Sequence, residues 1–413
     1  MNLTRRNLVL TAGALTAASL ASADAQSSGA APPVALPDKA SFAAFGLTYL
    51  DSGSQHPMSN QVRAGIERYL AHHAFEPHGP SAHFDEDGVR AKFAKLINAA
   101  SIDEIAFVQS TTTGEQLVLR GLGLPQSGAH IVTDTLHFFG SLPLYEEMAR
   151  QGCEVTWVKA VDGRIRLADM KAAIRKDTKL VSLSHVSTIN GFEHDVKAVC
   201  DIAHANGALV YADSIHAAGC VPVDVQASGV DFAACAGYKW LMGDFGLGFI
   251  YARKEAQARL RRADYGYEGI ASFAPHIYPF DPPGDTIADY AYADSAEGRF
   301  AHGTTAFAVA AQLDQSLDYI MDLGVPAIQS HAQSLIAPLK KELKKMGYLV
   351  MSPDECATPH VACALENARE KLGKKLSDAN IRITLSKNRF RVTTSVFNDG
   401  PDIERFLSVL GRA

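Results

Sequence analysis

The chain has no CxxC pair among its six cysteines (Cys153, Cys200, Cys220, Cys235, Cys356 and Cys363). That removes the usual zinc and dithiol redox signatures. The even count permits disulfides, but 413 residues with 47% apolar composition can build a core without staples, so free buried thiols are the expectation. Charge of one sign is scarce as well. A net charge of -6 with no long basic run gives no electrostatic footing for nucleic acid or for an anionic membrane surface. Beyond the N-terminus no apolar run approaches the roughly 18 residues that a membrane-spanning helix needs. No internal repeat or low-complexity tract is visible past that region either. What is left is a globular chain of one large or two moderate domains.

The N-terminus differs in kind. Thr4-Arg5-Arg6-Asn7-Leu8-Val9-Leu10 sets paired arginines before a mildly apolar run, and Ala23-Asp24-Ala25 is a small-x-small pattern. This reads as a twin-arginine signal over residues 1–25, cleaved after Ala25 and followed by a linker over 26–45. The expected partner is the twin-arginine export machinery, and the expected location is the periplasm or the exterior. That route carries folded proteins, which suits a protein that acquires a cofactor in the cytoplasm.

Helices are expected over Gln61 to His73 and Asp87 to Ile97. Between them His72, His73, His78 and His83 match no standard ligand spacing, and no metal is expected. From residue 104 short apolar runs alternate with helical stretches. Ile105–Val108, Ala129–Thr133, Cys153–Val158, Leu180–His185, Leu209–Ala212 and Phe232–Ala236 read as strands, with helices between them. That alternation predicts an α/β fold: a mostly parallel mixed sheet sandwiched by helices. After residue 305 the pattern changes to two long helices, short strands and a last helix, which predicts a smaller C-terminal α/β domain. The expected division is a segment 46–75 packing with the small domain, a large domain 76–305 and a small domain 306–413.

Ligands of such sheets bind beyond the carboxyl ends of the strands. There the sequence places Thr111-Thr112-Thr113 at a helix start, an anion cradle suited to phosphate. It also places His137 after the second run and Thr188 after the fourth. Asp213 and His216 follow the fifth. Tyr238 and Lys239 follow the sixth, with Lys239 26 residues beyond Asp213. A buried lysine is costly as an ammonium and is a nucleophile once its pKa falls. A buried aspartate needs a cation, and a protonated pyridine nitrogen is one. Phosphate cradle, imidazole, carboxylate and lysine together are the parts that pyridoxal 5'-phosphate requires, with the lysine as Schiff base.

On these motifs the sequence resembles the class V aminotransferases of fold type I, a family that includes cysteine desulfurases and isopenicillin N epimerase-like proteins. The likeness covers about residues 45–410 and is strongest over Val181 to Ala252. It implies that Lys239 holds the cofactor, Asp213 pairs with the ring nitrogen and His216 sits by the phenolic oxygen. It further implies that His137 stacks on the ring, while Thr111, Thr112, Thr113 and Tyr238 serve the phosphate. Gly303-Thr304 resembles the element that reaches a neighbouring subunit's phosphate, which implies a homodimer with a shared active site. Arg391, in Phe390-Arg391-Val392-Thr393, resembles the arginine that grips a substrate carboxylate.

There are departures from the family pattern. The loop 383–389 has no cysteine where desulfurases carry their nucleophile, which argues against a persulfide route. Thr188 replaces the usual asparagine, with Asn190 close by as a stand-in, and Ala236-Gly237 lacks the usual small hydroxyl.

The expected function is an exported pyridoxal-phosphate enzyme acting on an amino acid or an amino-acid-bearing compound, with aminotransferase-type chemistry. Similar exported members act on peptide-borne amino acids. The alternatives are an epimerase, a carbon–sulfur lyase, or a non-catalytic cofactor- or partner-binding protein.

Overall fold

The structure, a computed structural model, describes residues 35–43, 45–76 and 85–411, so the twin-arginine segment, His78 and His83 lie outside the described residues. The chain opens with β1 (Thr48–Tyr49), α1 (Asn60–Phe75) and α2 (Glu86–Leu96). Strand and helix then alternate as expected: β2 (Ile105–Val108), α3 (Thr111–Gly121), β3 (His130–Asp134), α4 (Leu142–Arg150), β4 (Glu154–Val158), α5 (Leu167–Ala173), β5 (Thr178–Ser184), α6 (Val196–Ala205), β6 (Leu209–Asp213), α7 (Val225–Ser228), β7 (Phe232–Ala236) and β8 (Gly248–Ala252). Next come α8 (Lys254–Gln257), β9 (Ile270–Pro275), β10 (Ala288–Tyr292), α9 (Ala296–Phe300), α10 (Phe307–Leu323) and α11 (Val325–Lys345). The C-terminal part holds β11 (Leu349–Val350), β12 (His360–Ala364), α12 (Ala368–Asp378), β13 (Ile381–Arg382), β14 (Thr384–Leu385), β15 (Arg389–Thr393) and α13 (Gly400–Leu410).

The large sheet has seven strands in the order β2-β8-β7-β6-β5-β3-β4. Only β8 runs against its neighbours. Every residue of β6 and β7 is buried, as a parallel sheet covered on both faces requires. Because β8 is antiparallel to β7, the chain reverses at the carboxyl end of β7. Lys239 lies in that reversal.

A second sheet, β11-β12-β15-β14, is antiparallel. The N-terminal segment is stitched to this part of the molecule: β1 pairs with β13, and Asp51 bridges to Thr393. Leu50 shares a core with Ile336, Leu339, Phe390 and Phe406. The large core runs on into α10 through Ala310, Leu313, Leu317 and Ile320, and the small core begins with α11.

Among the elements without a sequence signal are the β9–β10 hairpin and α12. The β9–β10 hairpin shows Phe273, Tyr278, Phe280, Ile287 and Tyr290 to solvent, so no buried face imposes a period on it. Helix α12 buries only Ala368, Leu372 and Leu376, and an interior Gly373 and its lysines hide the pattern. Among the described residues no helix is long and apolar enough to cross a membrane.

Candidate active site

The register of the large sheet sets Ser184, Asp213 and Ala234 side by side at its carboxyl edge. Asp213 ends β6, and its Oδ1 accepts the Ile215 N–H at 3.0 Å. Burial lifts its pKa above the ordinary range despite that bond and despite His137 and Lys239 nearby. Within the chain alone, this carboxylate is under-compensated.

Lys239 is 7% exposed, three residues past the end of β7. Its Nζ lies 2.9 Å from His216 Nε2. Burial, helped by the charge of Arg391, drives the amine down to about 8, against the pull of Asp213. The turn that carries His216 is pressed against this segment. A Cβ on Gly219 would stand 2.5 Å from the Trp240 carbonyl oxygen, and φ there is +93°, so only glycine fits.

His137 is fully buried. Its Nδ1 meets Ser184 Oγ at 2.9 Å, and its Nε2 meets Glu115 Oε1 at 2.9 Å. Glu115, from α3, also accepts from Ser141 and Tyr145 at 2.6 Å each and from Ser182 at 3.1 Å. Burial alone would raise the pKa of Glu115, but His137 and the hydroxyl donors override it and hold it low. Burial would likewise lower His137, and Glu115 overrides that and raises it. The two shifts agree, and they describe a buried imidazolium–carboxylate pair. Sequence reading saw Glu115 only as part of the cradle helix. A charged residue on the helix face of Val118 and Leu119, three and four positions on and both buried, was the available signal.

The threonine cradle is the start of α3. Ser110 caps it, its Oγ accepting Thr113 N–H at 3.1 Å and lying 3.0 Å from Thr113 Oγ1. Thr111 Oγ1 accepts the Ala236 N–H at 3.0 Å, which ties the helix start to the end of β7. Thr112 is half-buried at the second helical position. Tyr238 stacks on Phe245 at 4.4 Å between centroids.

Arg391, on β15, is 3% exposed, and burial pulls it down to about 10. One Nη donates to Thr188 O and Oγ1, at 3.0 and 2.6 Å. The other donates to Ser54 Oγ at 3.1 Å and Thr384 Oγ1 at 2.9 Å, and Asp51 lies 3.9 Å away. Thr188 therefore stands at the guanidinium. Asn190 does not: its amide is committed to the carbonyls of Gly163 and Met351. A Cβ on Gly53 would meet Thr393 Cγ2 at 2.8 Å and Arg391 Nη2 at 3.2 Å. Replacing Arg391 with lysine removes the fork that these partners hold. The expected outcome is a KM for a carboxylate substrate raised about tenfold, the worth of one charge-assisted hydrogen bond, with kcat changed less. Steady-state kinetics on Arg391→Lys checks it.

Thr304 is not drawn to Lys239. It is exposed, its hydroxyl meets that of Tyr267, and it lines a cavity of about 420 Å³ with Gln109 and Thr113 beside the α3 start. All six cysteines are free and buried. The loop before Arg391 offers no thiol, and Cys356 is buried with its carbonyl held by Lys340 at 3.0 Å.

A family model described as aminotransferase class-V matches residues 48–386. The chain belongs to the class V aminotransferase family. Over 326 residues it is 28% identical to a probable cysteine desulfurase of Halalkalibacterium halodurans, covering 75% of this chain and 76% of that one. Its fold is shared with a solved Escherichia coli cysteine desulfurase (TM-score 0.77, 19% identity, 91% and 98% of the two chains). It is shared equally with the cystine C–S lyase C-DES (TM-score 0.77, 18% identity, 88% and 97%), which was also solved with glycine linked to its PLP cofactor. The residues here fit that cofactor, pyridoxal 5'-phosphate. The under-compensated Asp213 suits a cationic ring nitrogen, the Lys239 amine is poised to bond a carbonyl, and the α3 start suits a phosphate.

Proposed function

We propose that the protein is a pyridoxal-phosphate enzyme that moves the Cα proton of an amino acid or a peptide-borne amino acid, with amino-group transfer as its reaction. One observation carries this reading. Lys239 offers a buried amine of lowered pKa, while both ring nitrogens of His137 and both of His216 are already engaged by protein groups. Epimerisation wants a second proton carrier on the opposite side of Cα, and His137 has no free nitrogen for it. Amino transfer needs one base that takes a proton from Cα and returns it elsewhere.

When bound, the cofactor supplies an electron sink. The chain supplies the rest. Asp213 holds the proton on the ring nitrogen, Arg391 orients the substrate carboxylate, and Lys239 Nζ carries the proton. A second reading, carbon–sulfur lysis by β-elimination, is supported by the names of the relatives and needs no enzyme thiol. Persulfide transfer does need one, and the loop before Arg391 has none. The test is a product screen by mass spectrometry on the loaded protein. Keto acid together with the pyridoxamine form of the cofactor supports amino transfer. Pyruvate with sulfide, and no pyridoxamine form, would replace it with the lyase. A protein that stays colourless with added cofactor would leave the non-catalytic reading.

We also propose a homodimer. The resemblance of Gly303-Thr304 to a subunit-crossing element supports it, as do the exposed apolar side chains of the β9–β10 hairpin. A stable, active monomer by solution mass would contradict it. Export by the twin-arginine route is supported by residues 4–25 and is tested by sequencing the mature N-terminus.

A further inference from the structure

The small sheet reaches the reactive amine through two imidazoles. Lys239 Nζ lies 2.9 Å from His216 Nε2, and His216 Nδ1 lies 3.0 Å from Nε2 of His360, the first residue of β12. A third group meets the same Nδ1: the indole Nε1–H of Trp240 donates to it at 3.5 Å. An indole nitrogen only donates, so Nδ1 of His216 is an acceptor and carries no proton. The other end of the chain gives the same answer. His360 is fully buried, and its Nδ1 has no hydrogen-bond partner among the described residues. A proton placed there would be a buried donor with nothing to meet, which costs more than an idle lone pair. The proton therefore sits on His360 Nε2 and points at His216. With Nδ1 closed, a neutral His216 carries its proton on Nε2, facing Lys239.

We propose that His360 is a positioning residue: its Nε2–H fixes the His216 tautomer, so that His216 presents an N–H to the reacting end of Lys239. The opposite polarity would set the Trp240 N–H against another N–H. In the favoured polarity Lys239 accepts from His216, so the hydrogen bond itself selects the free amine. Burial opposes a second proton on either ring, and the charge of Arg391 adds to this, as do Lys340 for His360 and Lys239 whenever it is an ammonium. Nothing in the sequence pattern pairs His360 with Lys239, because β12 belongs to the other sheet.

The proposal rests on the proposed use of Lys239, but its test uses the cofactor-free protein, so it can fail while the function stands. Nitrogen-15 NMR of histidine-labelled protein reads the tautomer, with His216 assigned through His216→Gln. Above pH 8, where Lys239 is the free amine, the expected spectrum has a proton on His216 Nε2, none on Nδ1, and a coupling across the hydrogen bond between His216 Nδ1 and His360 Nε2. A His216 proton on Nδ1, or no such coupling, overturns the proposal in the wild-type protein with no substitution needed. In His360→Phe only the long 3.5 Å Trp240 contact still favours an unprotonated Nδ1, and the tautomer is expected to become mixed. The rate at which Lys239 reacts with a small aldehyde at pH 8 is expected to fall about fivefold, the worth of one ordinary hydrogen bond. His360→Gln, which returns an N–H donor, is expected to restore both. A folded His360→Phe with an unchanged tautomer and rate would reduce His360 to a packing residue.

Discussion

Lys239→Met is expected to be colourless with cofactor, to lose at least about a thousandfold in turnover, and yet to be more stable than the parent at neutral pH. The rate loss is in the upper part of the range for a positioned proton carrier. The stability gain follows from linkage. The amine falls from an ordinary value of 10.5 to about 8 on folding. Below pH 8 the folded protein must hold an ammonium in a dry site, a penalty of about 3 kcal/mol. The penalty shrinks as pH rises from 8 to 10.5, and above that both states are deprotonated and it vanishes. Methionine removes it, and because an ammonium cannot accept the His216 N–H either, no hydrogen bond is lost at pH 7; above pH 8 the free amine does accept it, and there methionine forfeits about 1 kcal/mol. The net gain at pH 7 is about 3 kcal/mol; it is gone before pH 10.5, where the variant is expected to be about 1 kcal/mol less stable than the parent. Guanidinium denaturation at the two pH values reads it. A variant less stable than the parent at pH 7 would mean that the ammonium is well paired in the fold.

Glu115→Leu is expected to have the largest cost in stability, about 3–5 kcal/mol. It removes one partner of a buried ion pair and strands the donors of His137, Ser141, Tyr145 and Ser182 together. Glu115→Gln keeps the shape and an acceptor oxygen, so it should cost less than half as much. The pair also has a pH signature. His137 is raised on folding, so its contribution is complete below about pH 6.5 and fades as pH rises through its folded value. Glu115 is lowered, so its share is complete above about 4.5 and is lost as pH falls through its folded value. In Glu115→Gln the His137 resonance should titrate at a lower pH than in the parent, and NMR reads this directly. An unchanged His137 titration would show that some group other than Glu115 sets its charge.

The large sheet was legible because its strands are continuous apolar runs with the chemistry placed just after them. Lys239, Asp213 and His216 could be read for the same reason, since a polar residue at the end of a buried strand has to be explained; Arg391 lies inside β15 and was reached only through the family resemblance. Glu115 and His360 were not legible. Each sits inside an element, and each derives its meaning from a partner 22 or 144 residues away. Ser54, Thr384 and Asp51 gather around Arg391 only because the N-terminal segment joins the small sheet, a pairing that no local pattern announces. The hairpin and α12 escaped for the opposite reason: they bury too little to impose a period on their residues.

Six thiols shut away from solvent, and none in the loop before Arg391, have a consequence for where this catalyst can work. An enzyme that parks sulfur on its own cysteine must be discharged by a reducing acceptor after every cycle, and an oxidant can stop it at any turn. On the proposed reading the protein's working atoms are nitrogen and oxygen, and burial holds sulfurs such as Cys220 and Cys235 in the unreactive thiol form. Its turnover is therefore expected to be insensitive to redox poise, with the same rate in glutathione buffers from fully reduced to fully oxidised.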